Sequence, residues 1–395
     1  MKEDFFKYQA QTSNHPLAIA ISHANESFIY DINGKSYLDF IAGVSANTLG
    51  HNHPKISQAI KEQVDKYTHV MVYGEFIQQP QVSLTKLLAE NIPKPLETVY
   101  LTNSGTEATE GALKLAKRYT GRHEIIAAKN SYHGNTQGSM SVCGAEQQNS
   151  AFRPLIPGIQ FIEFNNVIDI QKITSKTAAV ILETIQGGAG FIEPKNNYLK
   201  KVKEKCDEVG ALLILDEIQT GIGRTGKLFG FENYSVVPHI IIAGKGLGGG
   251  MPIGAFIASN KIMSCLKNHP KLGHITTFGG HPVIAAAANA TLTELFNSNL
   301  IKETLYKEKL IRKSLIHPLI TEVRGKGLML AVIVKSEETA SKVILRCLDK
   351  GLLLFWLLFE GKAIRITPPL TISNNEITKG CTIILETLNE ILAES

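Results

Sequence analysis

Between residues 98 and 258 the chain alternates short apolar runs with longer stretches of helical periodicity, and that alternation restricts the fold more than any other feature. The runs lie at 98–102, 124–129, 160–164, 178–183, 211–215, 239–243 and 253–258, each too short for a stable helix. Helix-like segments, among them 106–119 and 200–209, fall between several of them. Near-continuous apolar strands need cover on both faces, which a mainly parallel sheet set between helices provides. We therefore expect an α/β architecture with a seven-stranded, mainly parallel sheet. Upstream, Ser27-Phe28-Ile29-Tyr30 and Ser36-Tyr37-Leu38-Asp39 flank Asp31-Ile32-Asn33-Gly34-Lys35, and Asn-Gly between apolar runs signals a hairpin. From about residue 285 the chain turns helical (285–296) and then mixed, with runs at 328–334 and 352–358. A chain of 395 residues exceeds one typical core. The expected organisation is an N-terminal segment (1–48) that joins a small domain, a large domain (49–284), and a small C-terminal domain (285–395).

Charge and cysteine content narrow the function classes. The formal net charge of +5 is spread along the chain without a dense Lys/Arg tract, which argues against a nucleic-acid partner. Cys143, Cys206, Cys265, Cys347 and Cys381 are odd in number and far apart, as reduced thiols in a cytosolic protein would be. Met1-Lys2-Glu3-Asp4 does not read as a signal peptide, and no apolar stretch reaches the length of a membrane span. A cytoplasmic protein that does not engage a membrane is expected.

The chemistry concentrates where apolar runs end. Lys245 follows His239-Ile240-Ile241-Ile242-Ala243 and opens the turn Gly246-Leu247-Gly248-Gly249-Gly250. A lysine held out of water there gives up its proton more readily and becomes nucleophilic, and the glycines read as room around it. Asp216 ends the run at 211–215, where ionisation is costly without a cationic partner such as a protonated pyridine nitrogen. Ser104-Gly105-Thr106-Glu107-Ala108 opens a helix after the first run; Ser104 with Glu107 fits a capping box, and the same free N–H groups fit a phosphate site. Tyr132, in Tyr132-His133-Gly134, is placed either in core or rim or to stack on a planar ring. Arg365, stiffened by Pro368 and Pro369, suits either a structural ion pair or a bidentate grip on a carboxylate.

Three other patterns each lack a part that their chemistry needs. Gly221-Ile222-Gly223-Arg224-Thr225-Gly226-Lys227 matches the start of a phosphate loop, but Leu228 stands where Ser or Thr must reach the metal. Gly244-Lys245-Gly246-Leu247-Gly248-Gly249 has dinucleotide-fingerprint spacing, yet no acidic residue lies between Glu232 and Glu294 to hold a ribose. His51-Asn52-His53-Pro54 lacks the Cys or acidic cluster of a metal site and reads as a turn capping the next helix, so no metal is expected.

Taken together these motifs resemble the class III (ω-amino-acid) aminotransferases among the fold-type I pyridoxal phosphate enzymes. The resemblance runs through Leu49-Gly50-His51-Asn52-His53-Pro54, Asn103 to Ala108, Tyr132-His133-Gly134 and Asp216-Glu217-Ile218-Gln219-Thr220-Gly221. It continues through Gly223 to Gly226, Lys245 to Gly250, Thr277-Phe278-Gly279-Gly280, Arg324 to Leu328 and Pro368-Pro369-Leu370. It implies a small domain built from both chain ends and a homodimer with shared active sites. Lys245 would carry the pyridoxal 5'-phosphate cofactor and shuttle protons. Asp216 would face the pyridine nitrogen, Gln219 the phenolic oxygen, and Tyr132 the ring. Ser104, Gly105 and Thr106 would bind the phosphate, with Thr277 supplied by the other subunit. Arg365 would hold the carboxylate of glutamate or 2-oxoglutarate.

The overall motif set is similar to that of the acetylornithine and ornithine aminotransferases, so an ω-amino donor of that type with 2-oxoglutarate as acceptor is expected. Two departures stand against it. The resemblance expects Arg at Asn135, where it would hold a substrate carboxylate, and Glu at Gly188, where it would mask the arginine matched by Arg365. Other donors (4-aminobutyrate, lysine or simple amines) therefore stay open, as do a mutase, epimerase, decarboxylase or phospho-lyase reaction. His239, where the resemblance expects Asp, has no evident consequence in the sequence.

Overall fold

The computed structural model describes residues 1–394. All seven apolar runs form strands of one sheet: β1 (Thr98–Thr102), β2 (Glu124–Ala128), β3 (Ile159–Ile162), β4 (Thr177–Glu183), β5 (Leu212–Asp216), β6 (Ile240–Gly244) and β7 (Gly254–Ala258). Their order is β1-β7-β6-β5-β4-β2-β3. Only β7 runs antiparallel to its neighbours; the β2–β3, β2–β4, β4–β5 and β5–β6 pairs are parallel. Every residue of β4, β5, β6 and β7 is buried, as strands covered on both faces must be. One face meets the helix Gly105–Thr120 through Ala108, Ala112, Leu115 and Ala116, and the other packs into a larger core that includes Leu182, Leu215 and Ile241.

The two chain ends meet in smaller sheets. The hairpin strands Phe28–Asp31 and Ser36–Asp39 turn through Gly34 at φ +82°, with the Asp31 carboxylate accepting from Asn33 and Lys35 N–H. Ser36–Asp39 then pairs in parallel with Leu352–Leu353, joining the N-terminal segment to the C-terminal part. A second sheet orders Ile320–Lys326, Met329–Val334, Ala363–Ile366 and Phe355–Trp356.

The carboxyl ends of β1, β2, β4, β5 and β6 lie along one edge, where α/β sheets bind ligands. Among the described residues no helix is long and apolar enough to cross a membrane.

Candidate active site

One cavity of ≈ 480 Å³ opens at that edge, and eight of the residues singled out in the sequence line it: Gly105, Thr106, Tyr132, Asn135, Asp216, Gln219, Lys245 and Arg365. Asp216 ends β5 and is 4% exposed. Its Oδ1 accepts the Ile218 N–H at 2.9 Å, and its Oδ2 lies 2.8 Å from His133 Nδ1, so both oxygens are fixed by the protein. Lys245 follows β6 at φ +41°, a conformation that costs a non-glycine residue energy and that packing must hold in place. Burial lowers its amine from the ordinary lysine range and Arg365 pushes in the same direction, while Asp216 and Glu183 oppose the shift. The glycines after it leave room for neighbouring elements rather than for the lysine itself: a Cβ on Gly246 would stand 2.3 Å from Thr48 Oγ1.

The helix Gly105–Thr120 begins beside these groups. Ser104 caps it, accepting the Glu107 N–H at 3.3 Å, but the capping box is displaced by one residue. The Glu107 carboxylate accepts instead from Asn103, backbone at 2.7 Å and amide at 2.9 Å, one residue before the cap. Ser104 does not line the cavity. The N–H groups of Gly105 and Thr106 find no acceptor among the described residues, and the positive end of the helix dipole adds to them. Thr106 Oγ1 is tied to Thr136 Oγ1 at 2.9 Å and Ser139 Oγ at 2.6 Å, which holds the 135–139 loop over the helix start.

Arg365, in the strand Ala363–Ile366, is 5% exposed. Its Nε and Nη1 are buried without a hydrogen-bond partner, and its guanidinium lies 5.7 Å from the centre of the Phe191 ring. Burial pushes its pKa down to about 10. The structural ion pair is thus absent among the described residues, and two donors stand ready for an anion. Thr277 lies elsewhere, exposed in a turn where Thr276 Oγ1 accepts from Gly279 N–H, and does not reach this cavity.

Two residues at the site were missed in the sequence. His133, quoted only as part of a motif, is buried and positions Asp216. Glu183 ends β4 directly beside Asp216 in the parallel register, and accepts the N–H groups of Gly187 at 2.9 Å and Tyr132 at 3.2 Å. Burial raises its carboxyl to about 7. An apolar run ending in an acid had pointed to Asp216; the same signal stands at Glu183.

The rival patterns resolve into structural roles. Arg224, fully buried in the stretch that mimics a phosphate loop, turns inward and donates to the Leu328 and Pro368 carbonyls. Glu217 accepts from Thr184, Thr220, Gly230 and Phe231, locking the loop after β5. His53 stands at the start of the helix Pro54–Lys66 without a side-chain cap, while His51 Nε2 binds Asp39 at 2.8 Å. His239 Nδ1 accepts the Leu213 N–H at 2.8 Å, the work of an acceptor at a strand edge, and burial pushes its pKa down to about 4.

These residues fit pyridoxal phosphate. A helix start with free N–H groups suits a phosphate, a buried carboxylate suits a pyridinium, a depressed lysine suits an aldehyde carbon, and an unpaired guanidinium suits a substrate acid.

Comparison with known proteins agrees with this geometry. The family model described as Aminotransferase class-III matches residues 8–388. The acetylornithine aminotransferase of Caldanaerobacter subterraneus subsp. tengcongensis is 38% identical over 399 residues, 98% of each chain. That of Clostridium acetobutylicum is 40% identical over 374 residues, 91% of this chain and 94% of the relative. The crystal structure of the ornithine aminotransferase from Toxoplasma gondii ME49 superposes with a TM-score of 0.92 at 32% identity, covering 100% of this chain and 96% of that one.

Proposed function

The chain belongs to the class III aminotransferases, a pyridoxal phosphate-dependent family, and on that premise we propose that it moves an amino group from an ω-amino donor of the acetylornithine or ornithine type to 2-oxoglutarate, giving glutamate. The observation that carries this reading is Arg365, a buried guanidinium with two unpartnered donors in the cavity that holds Lys245 and Asp216. A dedicated carboxylate clamp suits the exchange of two acids better than a mutase, decarboxylase or phospho-lyase reaction.

When bound, pyridoxal phosphate supplies an electron sink for charge that develops at the amine-bearing carbon. Gly105 and Thr106 would hold its phosphate, and Tyr132 its ring face. Gln219 would sit by its phenolic oxygen, and Asp216, braced by His133, would keep its ring nitrogen protonated. Lys245 Nζ, whose proton affinity burial lowers, would take the proton from the amine-bearing carbon and return it on the other side of the exchange. Arg365 would orient the acceptor through its carboxylate, and Asn135 would donate a hydrogen bond at the mouth.

A homodimer with shared sites belongs to the same proposal. Thr277, expected at the phosphate, stands exposed away from its own cavity, and Phe278 beside it packs on His69 at 4.8 Å. Val70, Met71, Phe76, Ile77, Leu272 and Ile275 are exposed in these same two segments, as an unburied interface would be. The division at residues 48/49 and 284/285 is likewise proposed, as is a cytoplasmic location, supported by the free state of all five cysteines. The test is a donor panel of acetylornithine, ornithine, 4-aminobutyrate and lysine with 2-oxoglutarate. Glutamate formed in step with 2-oxoglutarate consumed, fastest with acetylornithine or ornithine, is the expected result. Product without 2-oxoglutarate loss would turn the reading to a non-transaminase reaction.

A further inference from the structure

One face of the helix Gly105–Thr120 holds the mouth of the cavity. Thr106, Thr109 and Glu110, at i, i+3 and i+4, stand together on that face. Thr106 Oγ1 accepts the N–H groups of Asn135 at 3.2 Å and Thr136 at 3.3 Å. Thr109 Oγ1 donates to the His133 carbonyl at 2.9 Å. Glu110 Oε1 accepts the N–H groups of Gly138 at 2.8 Å and Ser139 at 3.1 Å, together with the Thr136 hydroxyl. Residues 133–139 are thereby tied along their length to the helix whose first N–H groups face the phosphate site.

Two glycines make the approach possible. Gly134 lies at φ +132°, where a Cβ would collide with Thr106, and a Cβ on Gly138 would collide with the Glu110 carboxylate. The helix Gln137–Ser141 that follows has five residues, too few to hold itself, so an acceptor from outside decides where it sits. A carboxylate is the stronger kind of acceptor for that work. Asn135, Thr136 and Gln137 stand exposed beside this anchor, and of the three only Asn135 lines the cavity. The Asn135 backbone is held, but its side-chain amide meets no hydrogen-bond partner among the described residues. Glu110 itself does not line the cavity.

We propose that Glu110 is a positioning residue: by pinning the turn at 136–139 it aims the Asn135 amide into the cavity, and so sets the affinity for the substrate without touching it; this rests on the transaminase reading above. The pinning needs an acceptor for two N–H groups and one hydroxyl, which a neutral amide oxygen also supplies. Glutamine at 110 should therefore serve, and alanine should not. A residue that only supported the fold would act on substrate affinity independently of Asn135, whereas a positioning residue acts through it.

The test uses the purified holoenzyme and glutamate without a keto acid, following the rate at which the cofactor's visible band is lost. Its dependence on glutamate concentration separates an apparent Kd from a maximal rate. Glu110→Ala should raise the Kd about fivefold, the factor for one neutral hydrogen bond, and leave the maximal rate within about twofold. Asn135→Ala should raise the Kd by a similar factor, and the double variant should match either single one within about twofold. Glu110→Gln should restore the wild-type Kd. Thr136→Val, a change at an exposed residue that removes only the hydroxyl ties, should raise the Kd in the same direction and have no effect on the Asn135→Ala background; it decides the matter if Glu110→Ala does not fold by circular dichroism. Kd effects that multiply in the double variant, an unchanged Kd in Glu110→Ala or Asn135→Ala, or failure of Glu110→Gln to restore it overturns the inference. A wild-type band that glutamate does not bleach sinks the transaminase reading first, and the inference with it.

Discussion

Replacing Arg365 with methionine should make the protein more stable and its glutamate chemistry far worse. The guanidinium is 5% exposed, and its Nε and Nη1 have no partner. Burial pushes its pKa well below the ordinary guanidinium range, to about 10, which corresponds to on the order of 3 kcal/mol of penalty on the charged form. Methionine removes that penalty but gives up the contact with Phe191, worth about 1–2 kcal/mol, and part of the packing of the side-chain stem. A net gain of about 1–2 kcal/mol remains, read as a higher urea midpoint at unchanged slope in protein measured without glutamate or 2-oxoglutarate. Against this, loss of a buried, bidentate carboxylate partner costs about 2–5 kcal/mol, so kcat/KM for glutamate should fall by roughly 30-fold to several thousandfold. Stability that falls by more than 1 kcal/mol would mean that Arg365 has a structural partner after all. Glutamate kinetics within threefold of wild type would refute its role as the clamp.

The remaining expectations concern the groups around Asp216 and Lys245. Glu183 has a folded-state pKa of about 7 against an unfolded 4.5, so its contribution is fully present below 4.5 and lost as pH rises through 7. Glu183→Gln lacks that loss, and its urea midpoint relative to wild type should improve between pH 5 and pH 8, by on the order of 3 kcal/mol if the whole shift is expressed; a pH-independent difference would contradict the burial argument. Lys245, whose pKa lies below its unfolded value, penalises the folded state while charged. In cofactor-stripped protein Lys245→Met should therefore exceed wild type in stability most at low pH, and the gap should close as pH rises toward 10.5; a gap that widens would reverse the sign. His133→Ala leaves Asp216 Oδ2 without its 2.8 Å partner, and should weaken cofactor retention in dialysis by about tenfold to a hundredfold. Retention equal to wild type would make His133 a packing residue only.

Much of this architecture was legible because strands buried on both faces leave an unmistakable mark: β4 to β7 carry no exposed residue, and the runs that predicted them differ from the strands only at their ends. The carboxyl-edge position of Lys245 and Asp216 followed from the same runs. The capping box at Ser104 failed by one residue: the Glu107 carboxylate meets Asn103 instead, a matter of angstroms that spacing does not encode. The apolar run at 352–358 was legible, but the place of Phe355, Trp356 and Leu358 at the cavity was not. Phe355–Trp356 is a two-residue strand whose existence depends on pairing with Arg365 and on Phe359 meeting Gly188, contacts remote in the chain. Gly188 read in the sequence as a missing acid; in the fold it is the space that Phe359 fills.

Lys245, Asp216 and Arg365 are proposed to serve one exchange of an amino group for a keto group. The most direct test is the visible absorption of the purified protein, recorded before and after glutamate is added without a keto acid. The expected result is loss of the cofactor's visible band with glutamate and its return on addition of 2-oxoglutarate. A band that ignores glutamate, in protein that retains its cofactor, would contradict it.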